Sequence, residues 1–338
     1  MKKNTVAIIV AVLLLIAGIA LAGTAFTMAD YSFDGFSSEE FEEVTYTVEG
    51  DFEHIMIATD IHDVAIALSD DATCRIVGSE SRNFKIEYGI EDNMLVVRTV
   101  DEREWYDHIG IFIDDAHLTL YLPKSTYISL TAASNTGDIL IPESFTFTGA
   151  SIATDTGNIE IRAKVTGELG LAADTGHITV SGVEPTKLDV SVTTGRTVLE
   201  NIKTEGEIIL ECSTGRTELH SVEAGAISSN GDTGSLLLKN VYVEREIKIK
   251  RSTGDVTLSS VIAGAFDIET STGDVKLNSS DAESIDIETD TGRVEGSLLT
   301  EKVFITESSS GSIKVPQTTS GGTCKIRTST GNIIITIE

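Results

Sequence analysis

The side chains best placed for chemistry in this 338-residue chain are acids that recur beside a Thr-Gly dipeptide. Asp155 precedes Asp174, and Asp255 precedes Asp274, by one repeat each. On stacked strands such pairs would sit about 5 Å apart, a repulsion that a divalent cation would relieve. The calcium-binding nonapeptide Gly-Gly-x-Gly-x-Asp is absent and each acidic run stops after two members. Solvated surface acids are therefore the simpler reading, and no metal site or cofactor is expected. Arg196 and Arg216 share another outward column and could take an anion, although pairing with Glu200 or Glu218 explains them more plainly.

Catalytic signatures are missing. The chain has no His-Glu-x-x-His, no Cys-x-x-Cys, no Walker loop and no Gly-x-Ser-x-Gly elbow. Of six histidines, His54, His62, His108 and His117 precede the repeats, while His177 and His220 stand alone on outward positions. The least repetitive stretch, Asp101 to Asp115, holds the single tryptophan, Trp105, with Tyr106 and His108. An exposed aromatic cluster of this kind suits contact with a glycan or a protein. The alternative is that Trp105 plugs the end of a core.

The elements that position these residues follow from the repeat. Thr-Gly recurs at Thr136, Thr156, Thr175, Thr194, Thr214, Thr233, Thr253, Thr272, Thr291 and Thr330, with Ser310 filling one gap, every 19 or 20 residues. Six and four positions before the mark, and three and five after it, the residues are predominantly aliphatic; Leu188, Val190, Ile178 and Val180 are examples. Alternation with polar residues gives a period of two, hence strands with one buried face. Glycine supplies the corner, and a second corner is marked at Gly206, Gly225 and Gly264. The expected fold is all-β: a single-stranded, right-handed parallel β-solenoid of about eleven 19–20-residue rungs, a rod on the order of 50 Å long. An antiparallel meander closing into a sandwich or barrel is the rival. Polysaccharide-degrading β-helices need long loops to wall a cleft, and this uniform spacing leaves no room for them between Thr136 and Thr330.

Three regions are expected. Residues 1–29 hold Lys2, Lys3 and an uncharged run from Thr5 to Ala29, long enough to span a bilayer as a helix. The lysines orient it with the N-terminus cytoplasmic and the β domain extracytoplasmic, a single-pass cell-membrane protein. Cleavage after Ala20-Leu21-Ala22 is the alternative. Residues 30–127 form a degenerate β cap in which Ile55 to Ile66 repeats the rung pattern with Ile61 at the threonine position. Residues 128–338 form the Thr-Gly coil. Its last strand, Ile333 to Ile337, is apolar on both faces and is expected to be an uncovered edge. Ile334 would be its outward contact, for end-to-end self-association or for a dedicated partner.

The formal charge is −28, and without residues 1–29 there remain 23 basic against 53 acidic residues. Such a surface repels nucleic acid and excludes basic-patch binding. Cys212 and Cys324 fall in interior columns six repeats apart, about 29 Å at the strand spacing. Disulfide Cα atoms lie within about 7 Å. Cys74 is in the cap. All three are expected as buried free thiols.

The lysine-led apolar segment, Asp63-Val64-Ala65-Ile66, Leu118-Thr119-Leu120-Tyr121-Leu122-Pro123 and the Ser-Thr-Gly-Asp-Val-x-Leu runs at Ser252 and Ser271 together resemble a known family. It is the candidate-adhesin, β-strand-repeat family of prokaryotic membrane proteins, a domain of unknown function. The resemblance spans about residues 35–338. It implies the architecture and supplies no catalytic residues. The expected function is a non-enzymatic cell-surface β-solenoid for adhesion, scaffolding or envelope sensing, with an envelope protein or glycan as partner. The alternative is a β-helix polysaccharide-degrading enzyme.

Overall fold

The computed structural model describes residues 41–102 and 116–338. The expected membrane segment at residues 5–29, and Trp105, Tyr106 and His108, lie outside the described residues. Among the described residues no helix is long and apolar enough to cross a membrane. They are all-β, with 25 strands bonded into one continuous sheet that coils for about ten turns.

Pairing along the body is parallel and in register, so the coil and not the meander is the architecture. Leu130, Ala150, Leu169, Leu188, Ile208, Ile227, Ile247, Phe266 and Ile285 stack one above the next. Ile139, Ile159, Ile178, Leu236, Val256, Val275, Val294 and Ile333 line the facing wall, each no more than 1% exposed. A single apolar cluster runs from Val48 to Ile335. No rung encloses its own aliphatic residues; each is covered by the rungs above and below.

The corners follow from close backbone approach. Gly254 has φ +140°, and a Cβ there would lie 2.0 Å from the carbonyl oxygen of Gly234 in the neighbouring turn. From Gly137 onward the Thr-Gly turns stack glycine on glycine, and Gly137 itself lies on the His62 carbonyl. A third corner, unforeseen in the two-bend reading, occurs seven residues after the threonine. Asn201, Ser221, Asn240, Ser260 and Ser279 have φ of 54°, 55°, 55°, 56° and 46°. Asn and Ser at these places are the sequence trace of that left-handed bend. Behind it Ile202, Val222, Val241 and Val261 turn into the core.

Rung order departs from chain order at both ends. The rung of His54–Thr59 lies between Met94–Asp101 and Thr126–Thr136, with His54 facing Met94 on one side and Ser129 on the other. Its register puts Ile61 at the position of Thr136. At the far end Thr330 stacks between Thr291 and Ser310. The final strand, Ile333–Ile337, is thus paired on both sides, with Val294–Leu298 and with Ile313–Lys314. The expected uncovered edge at Ile333–Ile337 is corrected: among the described residues the open edge belongs to Lys302–Ser310 and Ile313–Lys314. The two ends differ further. At the N-terminal end Cys74–Glu80 and Phe84–Glu91 run antiparallel along the outermost rung, and Glu42–Val48 pairs with Cys74–Glu80.

Candidate functional site

The acids beside the turns form a backbone-capping ladder. Strand pairing is interrupted at most of the Thr-Gly corners, though it runs unbroken through Gly176, Gly195 and Gly215, and the N–H of the residue after glycine finds a side-chain acceptor. The side chain in the adjoining turn provides it. Asp63 Oδ1 accepts from Asp138 N at 2.7 Å, and Asp138 Oδ1 from Asn158 N at 2.7 Å. Asn158 Oδ1 accepts from His177 N at 3.0 Å, and His177 Nδ1 from Arg196 N at 3.2 Å. Asp255 Oδ1 accepts from Asp274 N at 2.9 Å, and Asp274 Oδ1 from Arg293 N at 2.8 Å. The Asp255–Asp274 pair is therefore joined through a hydrogen bond. Its carboxylates are engaged with backbone, and among the described residues no group of three ligating side chains lies together.

Arg196 and Arg216 converge on Glu218, as the ion-pair reading expected. Arg196 Nε donates at 3.0 Å and its Nη2 lies 2.8 Å from Oε1; Arg216 Nε lies 2.8 Å from the same oxygen. His220 Nε2 stands 3.3 Å from Oε2. Glu218 is only 6% exposed, whereas the guanidinium groups face solvent. Burial alone would raise the Glu218 carboxyl, but His220, Arg196 and Arg216 outweigh it and hold its pKa below the ordinary value.

One inward residue escaped the sequence reading. Arg251 lies in the small-residue column of Ser134, Thr154, Ala173 and Cys212, and it is buried. Its Nη2 donates to Ser229 Oγ at 2.8 Å. Gly231 supplies the space, since a Cβ there would come within 2.1 Å of Arg251 Nη1. Burial lowers the guanidinium pKa from its usual value. The signal was in the columns, where serine and glycine replace larger neighbours at Ser229 and Gly231. Outside this wall, Asn230, Asp232, Lys250, Ser252, Glu269 and Asp290 line a shallow polar groove.

The three cysteines are free and buried, as expected. The inserted last rung brings Cys324 to five rungs from Cys212 rather than six, still about 24 Å at the strand spacing. Ile334 is half-buried between Glu295 and Lys314. Among the described residues the large apolar side chains that do face solvent at this end are Leu299, Val303, Ile305 and Ile313.

No curated protein matches the chain in sequence. Among solved structures it is similar to a candidate adhesin of Parabacteroides merdae ATCC 43184, at 14% identity and TM-score 0.42, covering 77% of this chain and 97% of that one. A candidate adhesin of Parabacteroides distasonis ATCC 8503 matches at 13% identity and TM-score 0.44, over 77% and 98% of the two chains. A candidate lipid-binding protein of the same organism matches at 13% identity and TM-score 0.34, over 77% and 97%. The family comparison reaches further, since Toastrack DUF4097 matches residues 52–213 and 216–338. The match takes in the rung at His54 as well as the Thr-Gly coil, and the chain belongs to the Toastrack DUF4097 family.

Proposed function

We propose that this chain is a non-catalytic, membrane-tethered β-solenoid displayed outside the cell, acting as an adhesion, scaffold or envelope-sensing module. The observation that carries this reading is the turn ladder. Asp255 and Asp274, one of the two acidic pairs best spaced for chemistry, spend acceptor atoms on the amides of adjoining turns, as do Asp63, Asp138, Asn158 and His177. Side chains committed in this way hold a rigid rod in register. The lysine-flanked apolar run at residues 5–29 supports tethering with the coil outside. The acidic surface favours an envelope protein or an uncharged glycan over nucleic acid.

Two measurements test it. Protease added to intact cells should digest the coil, and full protection would overturn the topology. The full chain incubated with acidic and neutral polysaccharides should leave their length unchanged. Reproducible cleavage abolished by one Asp substitution would establish the polysaccharide-degrading reading instead.

A further inference from the structure

The strand Lys302–Ser310 pairs on one side only among the described residues, with Gly322–Thr330. Its other edge carries a row of backbone donors and acceptors. It has neither proline nor bulge, and its inward charge, Lys302, is tied to Asp281 rather than set against an approaching strand. Val303 and Ile305 face outward at 37% and 56% exposure, and the inward Ile313 is 41% exposed because no further rung covers it. At the opposite end the outermost rung is lined by antiparallel strands. Among the described residues the far end has no such cover, and its outermost rung presents an apolar, open edge.

Charge selects what can approach it. The chain carries −28 overall, so two copies repel flank to flank. Residues 302–315 contain one acid, Glu307, and one exposed base, Lys314, the charge of the buried Lys302 being met by Asp281. This tip is where two copies meet without an acidic surface between them. The strand is also self-complementary. Its even-numbered residues, Phe304, Thr306 and Ser308, face the core, and its odd-numbered residues face out. An antiparallel pair centred on Ile305 sets Phe304 opposite Thr306, Val303 opposite Glu307 and Ile305 opposite itself. Core faces core and outside faces outside, as a continuous sheet requires.

We propose that the open rung is the docking surface for a second copy of this chain, with the Lys302–Ser310 strands of two copies paired antiparallel about a two-fold axis at Ile305. Such an isologous interface closes after two chains, giving a double-length rod instead of a filament. Each copy supplies the missing neighbour of the other's last rung.

Directly opposed residues of an antiparallel pair have Cα atoms about 4.5–5.5 Å apart, within the range a disulfide spans. The full chain carrying Ile305→Cys should therefore form a disulfide-linked dimer under mild oxidation. Its own three cysteines are buried and do not compete. Val303→Cys and Glu307→Cys should each stay unlinked alone and cross-link when mixed. Ile305→Lys changes an outward side chain, so thermal stability should hold. Sedimentation in detergent should show a doubled mass for the unchanged chain and a single mass for Ile305→Lys, because two ammonium groups would meet on the axis. An Ile305→Cys chain that stays monomeric overturns the proposal. So does Val303→Cys linking to itself, or a chain whose mass is indifferent to Ile305→Lys, including one that associates only with another protein.

Discussion

Lys302 Nζ lies 2.6 Å from Asp281 Oδ1, with the two side chains 4% and 9% exposed, and the pair reaches across an intervening rung. The intervening residue in register with Lys302 is Gly322, and a Cβ there would lie 1.9 Å from the Glu283 carbonyl oxygen. A larger residue would close that passage. The ion pair thus clasps the tip rung to the one from which the chain departed and holds the last rung between them.

Lys302→Met should cost about 3–5 kcal/mol, because it leaves the Asp281 carboxylate buried without its cation. Combining it with Asp281→Leu should recover most of the loss. Chemical denaturation measures both, and hydrogen exchange at residues 322–337 should quicken only in the single variant. A single variant as stable as the double would show that the clasp is dispensable.

Gly254→Val should destabilise by more than ~1 kcal/mol, since the new Cβ meets the Gly234 carbonyl oxygen at a φ that branched residues avoid. Lys276→Thr removes an exposed contact with Glu295 and should stay within ~0.5 kcal/mol. Equal losses in thermal melts would contradict the corner geometry.

Asp274→Ala deprives Arg293 N of its acceptor and should cost about 1 kcal/mol. Asp274→Asn keeps an acceptor and should lose less. Asp290→Ala, outward and outside the ladder, should remain within ~0.5 kcal/mol. If all three variants melt together, the ladder contributes nothing to stability.

Burial pushes the Cys74 and Cys324 thiols up to about 12 and raises Cys212 as well. At pH 8 a thiol near 12 is thiolate in about one molecule in ten thousand. A maleimide should leave the native protein unlabelled and modify three sites after denaturation. Native labelling at pH 8 would place at least one thiol at the surface.

His62 is fully buried beside Phe41 and Phe84, with Nε2 2.8 Å from Ser79 O and no partner for Nδ1 among the described residues. Burial lowers its pKa from the usual 6.5. The unfolded chain then binds a proton that the folded cap refuses. This contribution to stability is complete above pH 6.5 and falls as pH drops toward the folded value. Denaturation at pH 7.5 and 5.5 should show the loss, and His62→Gln, which retains a donor for Ser79 O, should show less of it. An identical pH response would exclude His62 as a source.

Much of the coil was legible because its determinants are local. A period of two marks the strands, and Thr-Gly marks the corner where neighbouring turns approach closely. The interior positions of Leu188, Val190, Cys212 and Cys324 followed from their columns alone. Local rules also left traces that went unread, namely the left-handed bend at Asn201 to Ser279 and the space made for Arg251 by Ser229 and Gly231.

Neighbour choice had no such trace. Every rung presents nearly the same columns, so the pattern specifies how two rungs align without specifying which two are adjacent. Within the body, short connections make chain order the stacking order. At the ends that constraint relaxes, and contacts between particular residues decide. Phe84 and His62 pack beneath the N-terminal cover, and Lys302 crosses Gly322 to reach Asp281. The sequence alone therefore determined the rung and its register. Only the tertiary structure decided which rung is outermost, because that choice rests on long-range contacts among rungs that local pattern makes interchangeable.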